Sequence, residues 1–134
     1  MRHFVQYFNP DKIGRDPDHL DGLFVYTNKF LRGVPVEGSV VWLLGGRGRP
    51  RTYHLLLWFV ATTVEACDHP AFMHTIRGDH GYILPSQPRL DREPWFPAFR
   101  RDQGNFAFGF TELTNEAARA AFVRLAEETG PPLP

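Results

Sequence analysis

The chain has 134 residues, 43% hydrophobic and 22% charged, with fifteen acidic and fifteen basic side chains that cancel formally. That length suits one domain with a sizeable core, and neutrality excludes a chain that adheres to nucleic acid or membrane by bulk charge. The lone Cys67 excludes an internal disulfide and fits a reducing cytoplasm; with no signal peptide or membrane-length apolar run in view, a soluble cytoplasmic protein without membrane partners is expected.

Phe4 to Phe8 reads as a strand with Phe4, Gln6 and Phe8 on one face and Val5 and Tyr7 on the other. Phe4 and Phe8 are expected to be core wall, which leaves an inward Gln6 in need of a partner. Asn9-Pro10-Asp11 predicts a short helix or turn, with Asn9 either its N-cap or part of a pocket rim. Residues 14–22 read as a loop. A second strand covers 23–27, and Thr27, Asn28 and Lys29 are polar at its exit.

Residues 39–44 predict a buried strand, "GGRGRPR" a hairpin loop, and 52–64 a long strand that is apolar on both faces. Tyr53, Leu55, Leu57 and Phe59 fall on one side; Leu56, Trp58 and Val60 fall on the other. Burial on two sides points to a small closed barrel with helices over its outer wall, and Trp42 and Trp58 belong to its core. Residues 65–104 are rich in proline and read as irregular, with a short strand at "GYIL". Trp95 is there either a loop anchor or a stacking platform.

A strand over 105–113 places Phe106, Phe108 and Phe110 on one face. Thr114 or Asn115 then caps a helix with Ala118, Ala121, Phe122 and Leu125 on one stripe, ended by Gly130 and Pro131. Residues 131–134 form a tail or the start of a linker. The expected fold is one α+β domain over 1–130: a small barrel of about six strands, a C-terminal helix and one or two short helices.

Signatures of catalysis are missing. The only serines are Ser39 and Ser86, neither in a Gly-x-Ser-x-Gly elbow, and the Gly-rich hairpin lacks the Gly-Lys-Ser/Thr ending of a phosphate loop. Cys67, His69, His74 and His80 lie within fourteen residues but match no zinc-finger spacing. No metal, no other cofactor and no catalytic role are expected, and a metal-dependent or small-molecule enzyme built on this cluster is the remote alternative. Positive charge gathers locally: Lys29, Arg32, Arg47, Arg49 and Arg51 stand against the single Glu37, and are candidates for phosphate contacts.

The stretches "VQYFN" (5–9), "GLFVYT" (22–27) and "VVWLLGGRGRPRTYHLLLWFVA" (40–61), in that order, resemble the PUA-like superfamily and within it the EVE and YTH domains. The resemblance covers roughly the first half of the chain. It implies a PUA-like barrel that holds a modified base, often methylated, in an aromatic cage after flipping it from the duplex. Such a module would partner modified DNA, or RNA in a second version, and could be fused to or act with a nuclease of a modification-dependent restriction system. At the position of the YTH strand Trp this chain has Phe24, or Tyr26 if the register differs by two. The implied base pocket comprises Gln6, Tyr7, Asn9, Phe24, Tyr26, Thr27, Asn28 and Trp95. A flipped base needs ring faces for stacking and polar groups at its edge, which is the mixture these positions offer.

Overall fold

The computed structural model describes residues 1–10, 20–29, 31–67, 69–107 and 109–134. Among them are six strands: β1 (His3–Phe8), β2 (Phe24–Thr27), β3 (Val40–Arg47), β4 (Thr52–Ala66), β5 (His74–Ile83) and β6 (Thr111–Glu112). Two helices, α1 (Phe96–Asp102) and α2 (Glu116–Thr129), complete this small α+β domain. The strands form one sheet in the order β2-β5-β4-β3-β1-β6, curled into a half-barrel. All neighbours are antiparallel except β1 and β3.

The hairpin β3–β4 is the sheet's centre, and both of its faces are buried as expected. One face, covered by α1 and α2, carries Val40, Trp42, Leu44, Tyr53, Leu55 and Trp58 against Phe96, Phe99, Ala118 and Phe122. The inner face carries Val41, Leu43, Leu56, Leu57 and Phe59 with Phe4, Phe8, Val25, Ile76 and Phe110. Strict alternation along β4 fails first at Leu56. Leu43 pairs with Leu57 but Leu44 pairs with Leu55, so Leu56 is an extra residue. This bulge turns Leu56 and Leu57 to the same inner face, where alternation alone separates them, and it moves Leu57 and Phe59 away from the side of Tyr53 and Leu55.

Three stretches differ from their expected form. The irregular segment 65–104 contains a ten-residue strand, β5, which pairs along most of β4 and also with β2. Its polar run Arg77-Gly78-Asp79-His80-Gly81 hides the strand from an alternation test. Gly78 and Gly81 are there because a Cβ would stand 2.2 Å from the Val60 carbonyl oxygen and 2.1 Å from that of Trp58. Register shifts between Val60 and Thr63 lie beside them, and this crowded crossing bends the sheet. The same segment also holds α1, with a proline in its first turn. Finally, the strand expected over 105–113 shortens to Thr111–Glu112, preceded by a 3₁₀ turn at Gly104–Phe106. Phe106 packs toward the helix-covered face and Phe110 toward the inner face, and Phe108 lies outside the described residues.

Helix α2 follows its sequence pattern. The Asn115 side chain accepts a hydrogen bond from the Ala118 N–H at 3.0 Å, and Ala118, Ala121, Phe122 and Ala126 are buried. The tail turns back on it, with the Leu133 N–H donating to Glu127. The helix or turn expected at Asp11, with the first residues of its loop, lies outside the described residues. Among the described residues no helix is long and apolar enough to cross a membrane.

Strand β1 is tied to the helical layer at its start. Buried His3 accepts at Nδ1 from the Trp42 indole N–H at 2.9 Å, so that nitrogen carries no proton. Desolvation, then the positive charges of Arg119 and the N-terminus, lower its pKa from 6.5 to about 4. The unfolded chain therefore takes up a proton at His3 below pH 6.5 while the folded chain resists it until about pH 4. The stability this contributes is complete above pH 6.5 and is lost as pH falls toward 4. Allowing for screening, a loss of about 1–2 kcal/mol is expected, measured as the urea-denaturation difference between the natural chain and His3→Gln at pH 7.5 and 4.5. Parallel pH profiles for the two chains would show that His3 titrates freely.

Candidate functional site

Strand β1 pairs with β3 and β6 but not with β2. The curl nevertheless brings β2 beside it, so the half-barrel has a seam between β1 and β2. An inner recess of about 50 Å³ opens there among Gln6, Phe8, Val25, Leu43, Phe24, Tyr26 and Phe72. Next to it is an outer cleft of about 530 Å³, lined by Gln6, Tyr7, Asn9, Asn28, Lys29, Phe72, Asn105, Phe106, Ala107 and Gly109. The recess has room for a group of one or two heavy atoms, whereas the cleft falls in the range of about 300–1,000 Å³ that suits a small flat ligand.

Each wall of the cleft offers an aromatic ring. On the β2 side, Tyr26 packs against Phe24, His69 and Phe72 at centroid distances of 5.3–5.5 Å. The loop that carries Phe72 is clamped by Asn28, whose Nδ2 donates to the Ala71 carbonyl and whose Oδ1 accepts from the Met73 N–H, both at 2.8 Å. On the β1 side, the Phe106 ring stacks on Tyr7 at 4.9 Å and 12°. The Tyr7 hydroxyl accepts from Arg51 at 2.9 Å, which brings the β3–β4 hairpin loop to this wall.

The segment on that wall has unusual backbone. Asn105, Phe106 and Gly109 have φ of 54°, 64° and 72°. Left-handed backbone is routine for glycine and tolerable for Asn, but costs a bulky residue such as Phe106 on the order of 1–3 kcal/mol. Gly109 faces the space between Gln6 and Thr27, where a Cβ would just fit. A Cβ built there would lie 3.6 Å from Thr27 Oγ1 and 4.0 Å from Gln6 Oε1. Thr27 is fully buried, and its hydroxyl oxygen accepts from the Lys29 N–H at 3.0 Å.

Gln6 is the polar centre. Only 5% exposed, it projects with Phe4 and Phe8 to the inner face, and its Nε2 donates to the Tyr7 carbonyl at 3.2 Å. Its Oε1 is buried without a partner.

Of the pocket residues read from the sequence, Gln6, Tyr7, Asn9 and Asn28 line the outer cleft, Gln6, Tyr7, Phe24 and Tyr26 the recess, and Thr27 lies beside them. Trp95 is not brought to the seam. It packs edge-on against Phe99 and Phe122 on the helix-covered face, as the anchor that starts α1. Lys29 reaches the cleft and Arg51 its β1 wall. Arg47 bonds Gln87, while Arg49 and Arg32 are exposed on their loops. Phe72 escapes sequence reading because its segment shows no strand or helix period; Phe106 and Gly109 escape it because the alternation over 105–113 reads as a strand, which left-handed backbone at Asn105, Phe106 and Gly109 breaks. Cys67, His69, His74 and His80 do not converge: among the described residues no group of three or more potential ligands could hold a metal ion. No family model, curated protein or solved structure matches the chain.

Asn28 spends its amide on the loop, so its replacement should act on the wall rather than on the fold. Asn28→Ala is expected to speed hydrogen exchange at Met73 by about tenfold, a local cost of roughly 1 kcal/mol, while protection in β3 and β4 stays unchanged. Unaltered exchange at Met73 would remove Asn28 from that role.

Proposed function

We propose that this chain is a binding module that takes a single modified base of a nucleic acid, with modified DNA favoured over RNA, into the cleft between β1 and β2. The observation that carries this reading is a ligand-sized cleft with an aromatic ring on each wall, one of them held on strained backbone. Strain in a bulky residue persists where the surroundings over-determine it, commonly at binding sites. Ring faces suit a base because every base has a π face, each stack being worth about 1–3 kcal/mol, enough for two to offset the few kcal/mol of extrusion from a duplex. Lys29 at the rim and Arg51 beside Tyr7 are candidates for contacts to the flanking phosphates, and Arg47, Arg49 and Arg32 are further cations on neighbouring segments.

The small apolar-walled recess behind the cleft suits a substituent of methyl size and disfavours a bulky one. A PUA-like, EVE/YTH-type assignment accords with the first strand, the short second strand and the hydrophobic hairpin that carried the resemblance. In this reading the chain supplies specificity, and any cleavage belongs to a fused or associated nuclease.

The test is a titration of duplexes that differ at one base: cytosine, 5-methylcytosine, 5-hydroxymethylcytosine, adenine and N6-methyladenine, with matched RNA. Tenfold or greater preference for one methylated duplex is expected, and that preference should fall at least tenfold in Phe72→Ala. Equal affinity for all duplexes would overturn modified-base recognition, and preference for the RNA set would reassign the partner. Replacing Arg47, Arg49 and Arg51 together by Ala should weaken binding to every duplex and reduce the slope of log affinity against log salt by about 2. An unchanged slope would take the hairpin loop out of the interface.

A further inference from the structure

Resting on that reading of the cleft, we infer that Gln6 makes the site selective for a base that carries an exocyclic amino group, and so excludes thymine, uracil and hypoxanthine. The inference begins with the orientation of the Gln6 amide. Its Nε2 faces the Tyr7 carbonyl oxygen at 3.2 Å, and the reversed amide would set two acceptors against each other. Oε1 is therefore the atom turned away from the backbone. It is buried and unpartnered, in a residue 5% exposed that lines both the cleft and the recess.

Two other buried side-chain atoms among the described residues lack a hydrogen bond, but both have a ring nearby. The Trp58 indole meets His80 edge-on at 5.5 Å, and the Arg100 guanidinium lies 5.1 Å over Tyr53. Gln6 Oε1 is different because it is an acceptor. A ring face is negative and cannot satisfy it; only a donor can.

Leaving such an acceptor dry costs about 1–3 kcal/mol, which a ligand N–H recovers. The shape of the floor narrows the choice of donor. The absent Cβ of Gly109 leaves a space of methyl size beside Oε1, and Gln6 is recessed beneath the cleft. An exocyclic amino group projects beyond the ring edge and reaches a recessed oxygen. The ring N–H of thymine, uracil or hypoxanthine is flush with its edge and brings a neighbouring carbonyl oxygen against Oε1. Sites that hydrogen-bond a ligand group reject the analogue lacking it strongly, because their own polar atom is then left unpaired.

Three pairs isolate this contact: 5-methylcytosine against thymine and adenine against hypoxanthine, which differ by deamination, and guanine against hypoxanthine, which lacks only guanine's amino group. Each base is placed once at the centre of a short single-stranded oligonucleotide and titrated against the natural chain and Gln6→Met. The natural chain is expected to bind its best amino-bearing base at least about tenfold more tightly than the partner without the amino group, and Gln6→Met should bring that ratio to near one. Because Met fills the volume without a buried acceptor, Gln6→Met should melt no lower than the natural chain; a large drop in its melting temperature would assign Gln6 a structural role and overturn the inference. A ratio near one in the natural chain, with oligonucleotides still bound, would overturn amino-group selection and leave base binding standing. No binding to any oligonucleotide would overturn both.

Discussion

Trp42 and Trp58 stand opposite each other across the β3–β4 ladder, both completely buried, with ring centroids 6.4 Å apart. They belong to the helix-covered face, while Val41, Leu43 and Phe59 of the same two strands fill the inner face. A hairpin apolar on both sides cannot be left as a flat sheet with one wet surface. It needs a layer on each side, and among the described residues helices supply only one. The other must come from the sheet itself, curling until Phe4 and Phe8 of β1 and Val25 of β2 meet over Leu43 and Phe59. The Leu56 bulge and the two glycines of β5 are the points at which that bend is made.

The seam follows from the same geometry. Curling brings β2 next to β1 without pairing: β1 bonds β3 along its length and β6 at Phe4 and Val5. The two strands can therefore share a core without sharing a ladder, and where side chains give way to polar groups the seam becomes a cleft. Its walls are drawn from segments that lack regular structure, the loop before β5 and the turn before β6, and each is held by a specific contact. Asn28 fixes the first, and stacking of Phe106 on Tyr7 fixes the second. A rigid sheet with irregular walls is a common way to build a specific pocket, because the sheet fixes the floor and the loops supply its chemistry.

What could be read from the sequence was what obeys a period. Alternation in β1 placed Phe4, Gln6 and Phe8 on one face, the helical stripe predicted Ala118, Ala121 and Phe122, and the polar exit of β2 marked Asn28 and Lys29. Long-range crowding left no such trace. Gly78 and Gly81 look like loop residues until the Val60 and Trp58 carbonyls are found against them. Phe72 looks like a scattered aromatic and Phe106 like a strand residue until a clamp from Asn28 and a left-handed backbone bring both to the cleft. Trp95 sits in a proline-rich stretch for the opposite reason: its ring is the first hold of α1 on the core, not an element of the site.

Within β1, one alternation serves two purposes. The odd residues His3, Val5 and Tyr7 lock the strand to the helix-covered face through Trp42 and Phe106. The even residues Phe4 and Phe8 are hydrophobic wall, and Gln6 between them breaks the pattern at the one point where the seam opens. A Leu there would satisfy the fold better, since the amide leaves an acceptor dry at a cost of about 1–3 kcal/mol. A residue that weakens the core at the floor of a ligand-sized cleft makes physical sense when something else completes its hydrogen bond. The cost to the empty protein then becomes selectivity in the occupied one, because a partner without the matching donor leaves the same oxygen unpaired. In the proposed reading, stacking on Phe72 and Phe106 would tell a flat ligand from one that is not, and say little about which flat ligand it is. On that proposal the discrimination would come from the edge, where Gln6 offers a buried acceptor without a partner.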